Sequence, residues 1–412
     1  MNKELKRISL LGGIIIITLP LNLKLNSLSI ILFVLYSSYL MIKSKKINYK
    51  INKDVLILVL PFLYALFQGL YSEQNIYLNN IIRLLSILIF PIIFYYLSQI
   101  VNLFFFKKKI LQTLIYASLL YSLYLLIIAF YRQFLFSPNF EKINWYFFTY
   151  HDFTEALNIQ PTYLGLYNCL AIVSVLYIKK INRINKFIII SFLTIIIFLS
   201  GSRISLVSLI MIFIFLFIKH YYSISIKIKL SLLFLFIIIP TGVFVYVPIV
   251  KERMVDMTFG LKETYKYAKY GTNIKFTGGI SPRLVMWNCA FKISNNSIFF
   301  GNGYGNTQKL LNRCYRQKGY ENFANLNYQT HNLYFSYLAR GGVIGLLILL
   351  LLYFYSVFNA VFWKDYLHTS FIILIVITSI TENILNLHFG IVFFAFFNSL
   401  FFYSNKTTFN EK

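Results

Sequence analysis

Residues 187–218 read FIIISFLTIIIFLSGSRISLVSLIMIFIFLFI. Two apolar runs, 187–202 and 204–218, meet at the polar turn Ser200-Gly201-Ser202-Arg203. Neither run alternates apolar with polar residues, so neither suits a half-buried strand or a barrel wall. Continuous runs of branched aliphatic and aromatic side chains belong in lipid, where only helices and closed barrels satisfy every backbone group. Sixteen residues of helix rise about 24 Å, less than the ~30 Å of hydrocarbon in a bilayer. The turn is therefore expected to sit recessed below the outer surface.

Working outward, the rest of the chain has the same character. Of 412 residues, 58% are hydrophobic and only 13% charged, about half the charge of a soluble domain. With a mean hydropathy of +0.68, the composition excludes a soluble enzyme, a disulfide scaffold and a disordered chain. Twelve apolar runs can be marked: 8–22, 27–42, 54–71, 81–102, 110–131, 161–178, 187–202, 204–218, 229–248, 332–358, 366–382 and 387–403. The first follows a charged Met1–Arg7 but no small-residue cleavage site follows it, so it reads as a span rather than a signal peptide. The expected fold is an all-α integral membrane protein of about twelve transmembrane helices with one large outer loop.

The net charge of +26 sits mostly in short clusters between runs, a pattern that orients a multispanning chain rather than one that binds nucleic acid. With both termini in the cytoplasm, 21 basic residues fall in inner segments and four (Lys24, Arg132, Lys142, Arg203) in the short outer ones. The chain then divides into 1–248, carrying nine spans and an outer loop at 132–160; a large outer loop, 249–331; and 332–412, carrying three spans and an inner tail. Residues 249–330 hold twelve Lys and Arg against Glu252, Asp256, Glu263 and Glu321. Long loops translocate regardless of charge, and an anionic ligand on the outer side accounts for this excess. Cys289 and Cys314 share that loop, while Cys169 lies in a run. A pair is possible if the loop faces an oxidising compartment, but free thiols are the expectation.

Three arginines and a histidine carry the candidate chemistry. Arg203, recessed in low dielectric, attracts an anion more strongly than it would in water; on position alone it also fits an arginine reaching for headgroups. Ser281-Pro282-Arg283 is a helix start, with serine as cap and proline in the first turn. Arg283 then lies among free backbone N–H groups, and its planar fork fits phosphate oxygens. Arg83 lies a turn inside the outer end of a span, where charge is costly and usually paired or functional. In a helix running on from His331, that residue shares a face with Leu338, Gly342 and Gly345, while Gly341 and Gly345 permit close helix packing. The same unbroken helix turns Arg340 away from His331, which leaves Arg340 outside the site. A histidine titrates near neutrality, which suits a general base. Gly301-Asn302-Gly303-Tyr304-Gly305-Asn306 reads as a tight turn after a helix, since no strand precedes it. His151-Asp152-x-x-Glu155 has metal-ligand atoms, but no second cluster supports it.

The Ser-Gly-Ser-Arg turn, the Arg283…Trp287 helix leading to Phe300-Gly301-x-Gly303-x-Gly305-Asn306, and His331-Asn332-x-Tyr334 before Gly341, Gly342 and Gly345 occur in this order on the expected outer side. In that arrangement the chain resembles the O-antigen ligase and O-antigen polymerase family. The resemblance implies a GT-C-like inner-membrane glycosyltransferase that uses an undecaprenyl-diphosphate-linked glycan, with no metal and no cofactor. Arg203 and Arg283 would hold the diphosphate, and His331 would serve the acceptor. One departure is Arg340, at a position that is often acidic in the family.

The chemistry fits on its own terms. A sugar diphosphate is already a good leaving group, needing mainly neutralisation of its growing charge by arginines or a metal. The sequence has no Asp-x-Asp, so arginines are the available choice. The expected activity is an inverting, metal-independent transfer of a glycan to a lipid A-core acceptor on the periplasmic face. The alternative is a polymerase that uses a second lipid-linked glycan as acceptor. A transporter of lipid-linked oligosaccharides fits less well, because the sequence has no repeated halves and few charges inside its runs.

Overall fold

The computed structural model describes residues 3–44, 47, 48, 50, 52–138, 142–220 and 281–410. The expected run 229–248 and the first part of the large loop lie outside the described residues. Among those described, helices are the regular structure and there is no strand. The helices are α1 (Lys3–Thr18), α2 (Leu23–Lys43), α3 (Lys53–Phe67), α4 (Gln74–Leu97), α5 (Leu103–Phe136), α6 (Tyr150–Thr154), α7 (Pro161–Tyr177), α8 (Arg183–Leu199) and α9 (Arg203–His220). They continue with α10 (Ser281–Ser294), α11 (Gly303–Gln317), α12 (Glu321–Asn325), α13 (Leu333–Phe362), α14 (Tyr366–Thr378) and α15 (His388–Asn410).

Five of these segments are long and apolar enough to cross a membrane: Leu23–Lys43, Lys53–Leu70, Asn80–Leu97, Leu103–Phe136 and Leu333–Phe362. A sixth is possible if Tyr150–Leu157 and Pro161–Tyr177, bent by 77°, count as one span. The chain is thus a multi-pass membrane protein, all-helical over its described residues. The sequence underestimated α5, whose 34 residues rise about 51 Å and carry Lys107–Lys109 within the helix.

Local starts follow from side-chain chemistry. Asn22, Asn52, Asn102, Asn182 and Asn332 each cap a helix by accepting a bond from a free backbone N–H of its first turn, a cap worth about 1 kcal/mol. Burial then sorts the helices. In α7 nearly every residue from Tyr163 to Val175 is buried, and in α15 the same holds from Ile391 to Tyr403. Helices apolar and buried on all sides belong at the centre of a bundle. By contrast α2 and α5 expose Leu28, Leu35, Leu120 and Ile127, as lipid-facing helices do. Phe33, Phe90, Phe94, Phe106 and Phe396 interlock between α2, α4, α5 and α15.

Seven ion pairs join segments that the basic-residue count assigns to one side. Glu4–Lys43, Lys107–Asp365 and Asp54–Lys406 link ends read as inner. Arg132–Glu155, Glu73–Lys309 and the Glu382 pairs link ends read as outer. The pairing is what a chain crossing back and forth produces.

Lys107 is the most deeply enclosed of these charges. Its ammonium lies 2.5 Å from Asp365 Oδ2, with side-chain exposures of 2% and 7%, and 3.2 Å from Asn405 Oδ1. Removing one partner leaves an uncompensated buried charge, which costs on the order of 3–5 kcal/mol. Lys107→Met should therefore lower the melting temperature of the purified protein in detergent markedly. An unchanged melting temperature would mean that water already reaches Asp365.

Candidate active site

Three segments far apart in sequence meet on one carboxylate. Glu382 follows the C-terminus of α14, with 11% of its side chain exposed. Its Oε1 accepts a bond from Arg283 Nη2 at 3.3 Å, and its Oε2 lies 3.5 Å from His331 Nδ1. Arg283 and His331, the two predicted outer-loop residues, are thereby brought together. Glu382 was missed by the sequence reading, which closed the run 366–382 there and gave the acid no role. The available signal was that it is the only acid between Asp365 and Glu411.

Arg283 stands in the first turn of α10, as its Ser-Pro-Arg context predicts. That helix is anchored on two sides. The Trp287 and Phe335 rings stack with centroids 5.8 Å apart, and Cys289 is bonded to Cys314 of α11, with the two Cα atoms 5.8 Å apart. The disulfide corrects the expectation of free thiols. Residues 25 apart meet only because α10 and α11 pack against each other in a small core with Val285, Met286, Leu311 and Tyr315.

His331 also departs from its expected setting. It does not lie on the helix face with Leu338, Gly342 and Gly345. It precedes the cap, Asn332, and has φ +45°, a left-handed conformation that costs a side-chain-bearing residue about 1–2 kcal/mol. Its neighbours hold it there. Asn332 Nδ2 donates to Ile380 O at 2.8 Å, Leu333 N donates to Ser379 O at 2.9 Å, and Thr330 Oγ1 lies 3.1 Å from Asn383 Oδ1. The 330–333 turn is thus fastened along the segment that carries Glu382. Strain held in place by surrounding bonds is characteristic of functional sites.

Arg203 opens α9 directly after the predicted turn, in which Gly201 has φ +63°. Ser202 Oγ and Ser205 Oγ are 2.7 Å apart, and a Cβ on Gly165 would come within 2.2 Å of Ser205 Oγ, so α7 and α9 touch closely here. Ser208 of α9 meets Thr378 of α14 at 3.3 Å. From that contact, Arg203 lies five residues toward one end of α9 and Glu382 four residues beyond Thr378. Since Ser202, beside Arg203, reaches Thr162 Oγ1 at 3.4 Å, and the adjacent Tyr163 ring lies 6.1 Å from that of Phe389, shortly after Glu382 in the chain, these residues share one end of the bundle. Tyr163 is 1% exposed and its hydroxyl has no hydrogen-bond partner among the described residues. Arg83 is exposed on α4 and makes no ion pair with Glu382 among the described residues. In the 132–160 loop, Glu155 of the His-Asp-x-x-Glu stretch pairs with Arg132 at 3.0 Å.

The glycines serve the backbone. Gly342, at φ +60° and ψ −160°, interrupts α13. The N–H groups freed there donate to Ile298 O (from Val343, 2.8 Å) and Phe299 O (from Ile344, 3.2 Å), while Ala339 O accepts from Asn302 N at 3.1 Å. A Cβ on Gly342 would lie 2.3 Å from Phe299 O. Gly342→Ala should therefore separate the two segments and reduce folded yield, judged by size exclusion in detergent; normal yield and activity would show that the crossing is dispensable. As expected, Gly341 and Gly345 allow close packing, here against Tyr64, whose hydroxyl donates to Gly341 O at 2.6 Å.

The position of His331 also removes the angular ground on which Arg340 was set apart from it. The helix begins at Leu333, after His331, so helix angles do not relate the two residues. Arg340 Nη1 donates to Asn386 Oδ1, and its guanidinium lies 4.8 Å from the centroid of the Tyr304 ring.

Residues 187–350 match the family model described as O-antigen ligase. The matched stretch contains Arg203, Arg283, His331 and Arg340, and ends before Glu382. No curated protein matches the chain.

Proposed function

We propose that this chain, which belongs to the O-antigen ligase family through residues 187–350, transfers a preassembled glycan from undecaprenyl diphosphate to a lipid A-core acceptor. The transfer would take place at the periplasmic face of the inner membrane, within a bundle of about twelve spans with both termini cytoplasmic. The observation that carries this reading is the meeting of Arg283 and His331 on Glu382. The Cys289–Cys314 bond supports an oxidising compartment for the loop.

Each group has a distinct task. Glu382 fixes the His331 ring through Nδ1 and leaves Nε2 for the acceptor hydroxyl. As that oxygen attacks the anomeric carbon, its proton passes to His331, and the bond to the diphosphate oxygen breaks on the opposite face. One such displacement inverts the anomeric configuration. Arg283 has five N–H donors, and its described bond to Glu382 uses one. The others can take the diphosphate as its charge grows, with Arg203 supplying a second cation at the same end of the bundle. The apolar spans accommodate the polyprenyl tail.

The test gives purified protein a lipid-linked glycan with and without a lipid A-core acceptor and sizes the products on a gel. Transfer that depends on lipid A-core is expected. A ladder formed without it would instead identify a polymerase, and no glycan transfer with either acceptor would overturn the enzyme reading.

A further inference from the structure

Arg340 is a half-buried cation held by neutral groups. Its described partners are Asn386 Oδ1 and the face of Tyr304, and no carboxylate among the described residues pairs with it. Asn386 Nδ2 donates to Gln329 Oε1 at 3.0 Å, and Gln329 Oε1 also accepts from Asn383 Nδ2 at 3.3 Å. Asn383 in turn meets Thr330. A line of amides and a hydroxyl thus connects Arg340 to the residue before His331.

A guanidinium withdrawn from water is stabilised by a counter-ion, and neutral amides replace only part of its hydration. The carbonyl end of the half-helix that stops at Gly342 favours a positive charge, but it supplies no anion. Cation–π contact with Tyr304 orients the fork without neutralising it. Arg340 is also displaced from the Glu382 cluster: it lies seven residues along α13 from Leu333, a rise of about 10 Å. A ligand that reaches both points is longer than one sugar ring.

We propose that Arg340 forms a second anion subsite that holds a phosphate or carboxylate of the acceptor while the acceptor hydroxyl lies at His331. This rests on the reading of His331 as the base that serves the acceptor. The shared chemistry is an oxyanion whose two oxygens match a guanidinium fork. Its source is either an acidic sugar of the acceptor glycan or a phosphate of the acceptor lipid.

The full chain in phosphatidylcholine nanodiscs can be titrated with inorganic pyrophosphate and, separately, with D-glucuronate, using D-glucose as the neutral control. Two anion-binding events per chain are expected with pyrophosphate. Arg283→Gln should remove one event. Arg340→Gln should remove the other, weakening it at least tenfold while changing the first less than twofold. Glucuronate occupancy lost in Arg340→Gln identifies a sugar carboxylate as the source; pyrophosphate occupancy alone identifies a phosphate. Arg340→Lys, which keeps charge but not the fork, should weaken the second event to an intermediate degree. A single event in the wild-type chain, or two undiminished events in Arg340→Gln, would overturn the subsite. The wild-type stoichiometry decides the matter even if Arg340→Gln fails to fold. Retention of both events in Arg283→Gln would count against the diphosphate reading of the first site and leave the Arg340 result standing.

Discussion

Replacing His331 with alanine should lower the rate of glycan transfer by about 10²–10⁴-fold, the usual contribution of a positioned general base. Donor binding should change little, because the diphosphate is assigned to Arg283 and Arg203. The imidazole is 35% exposed on the side chain and its Nδ1 lies 3.5 Å from Glu382, so one ring nitrogen faces the carboxylate and the other remains for a substrate. Its left-handed backbone is one that alanine adopts with similar strain, so the substitution tests the ring rather than the turn. Single-turnover kinetics with saturating donor would separate the outcomes. A variant with wild-type rate would remove His331 from the chemistry, and a loss confined to donor affinity would assign it to the diphosphate instead.

The second large effect concerns Arg283. Arg283→Lys keeps the positive charge in the first turn of α10 and retains a possible contact with Glu382, which the structure shows through one nitrogen at 3.3 Å. It loses the fork that grips two oxygens at once. Transfer should fall by about 10²–10³-fold, as when a donor to developing charge is removed, with yield and helicity preserved. Full activity in Arg283→Lys would mean that a point charge suffices and that Arg283 makes no bidentate contact. Comparing Arg283→Lys with Arg283→Ala on the same preparation gives the shares of geometry and charge.

Much of the bundle could be read in advance, for a physical reason. Lipid tolerates only continuous apolar runs, and apart from 229–248, which lies outside the described residues, each marked run is occupied by a helix. The turn at Ser200–Arg203 and the helix start at Ser281 were equally legible, because caps, glycine and proline act within a few residues. Contacts across the chain were harder to foresee. Glu382 carries no local pattern; its role arises where α14 ends beside the 330–333 turn, 50 residues away in sequence. His331 was placed on a helix because the sequence after it is helical, yet bonds from 330–333 to 379–383 hold it outside. Arg340 was excluded by counting helix angles from His331, which lies before the cap, and the break at Gly342 was not foreseen. There two segments cross backbone to backbone, which a periodic reading of one segment does not contain.

The central claim, that the external arginines grip a diphosphate next to His331 and Glu382, is tested most directly by an experimental structure of the chain with a non-transferable undecaprenyl-diphosphate glycan bound. The account predicts phosphate oxygens within hydrogen-bond reach of the Arg283 guanidinium, Arg203 on the same headgroup, and the anomeric carbon facing His331. A headgroup found elsewhere, with Arg283 still engaged only by Glu382, would contradict it.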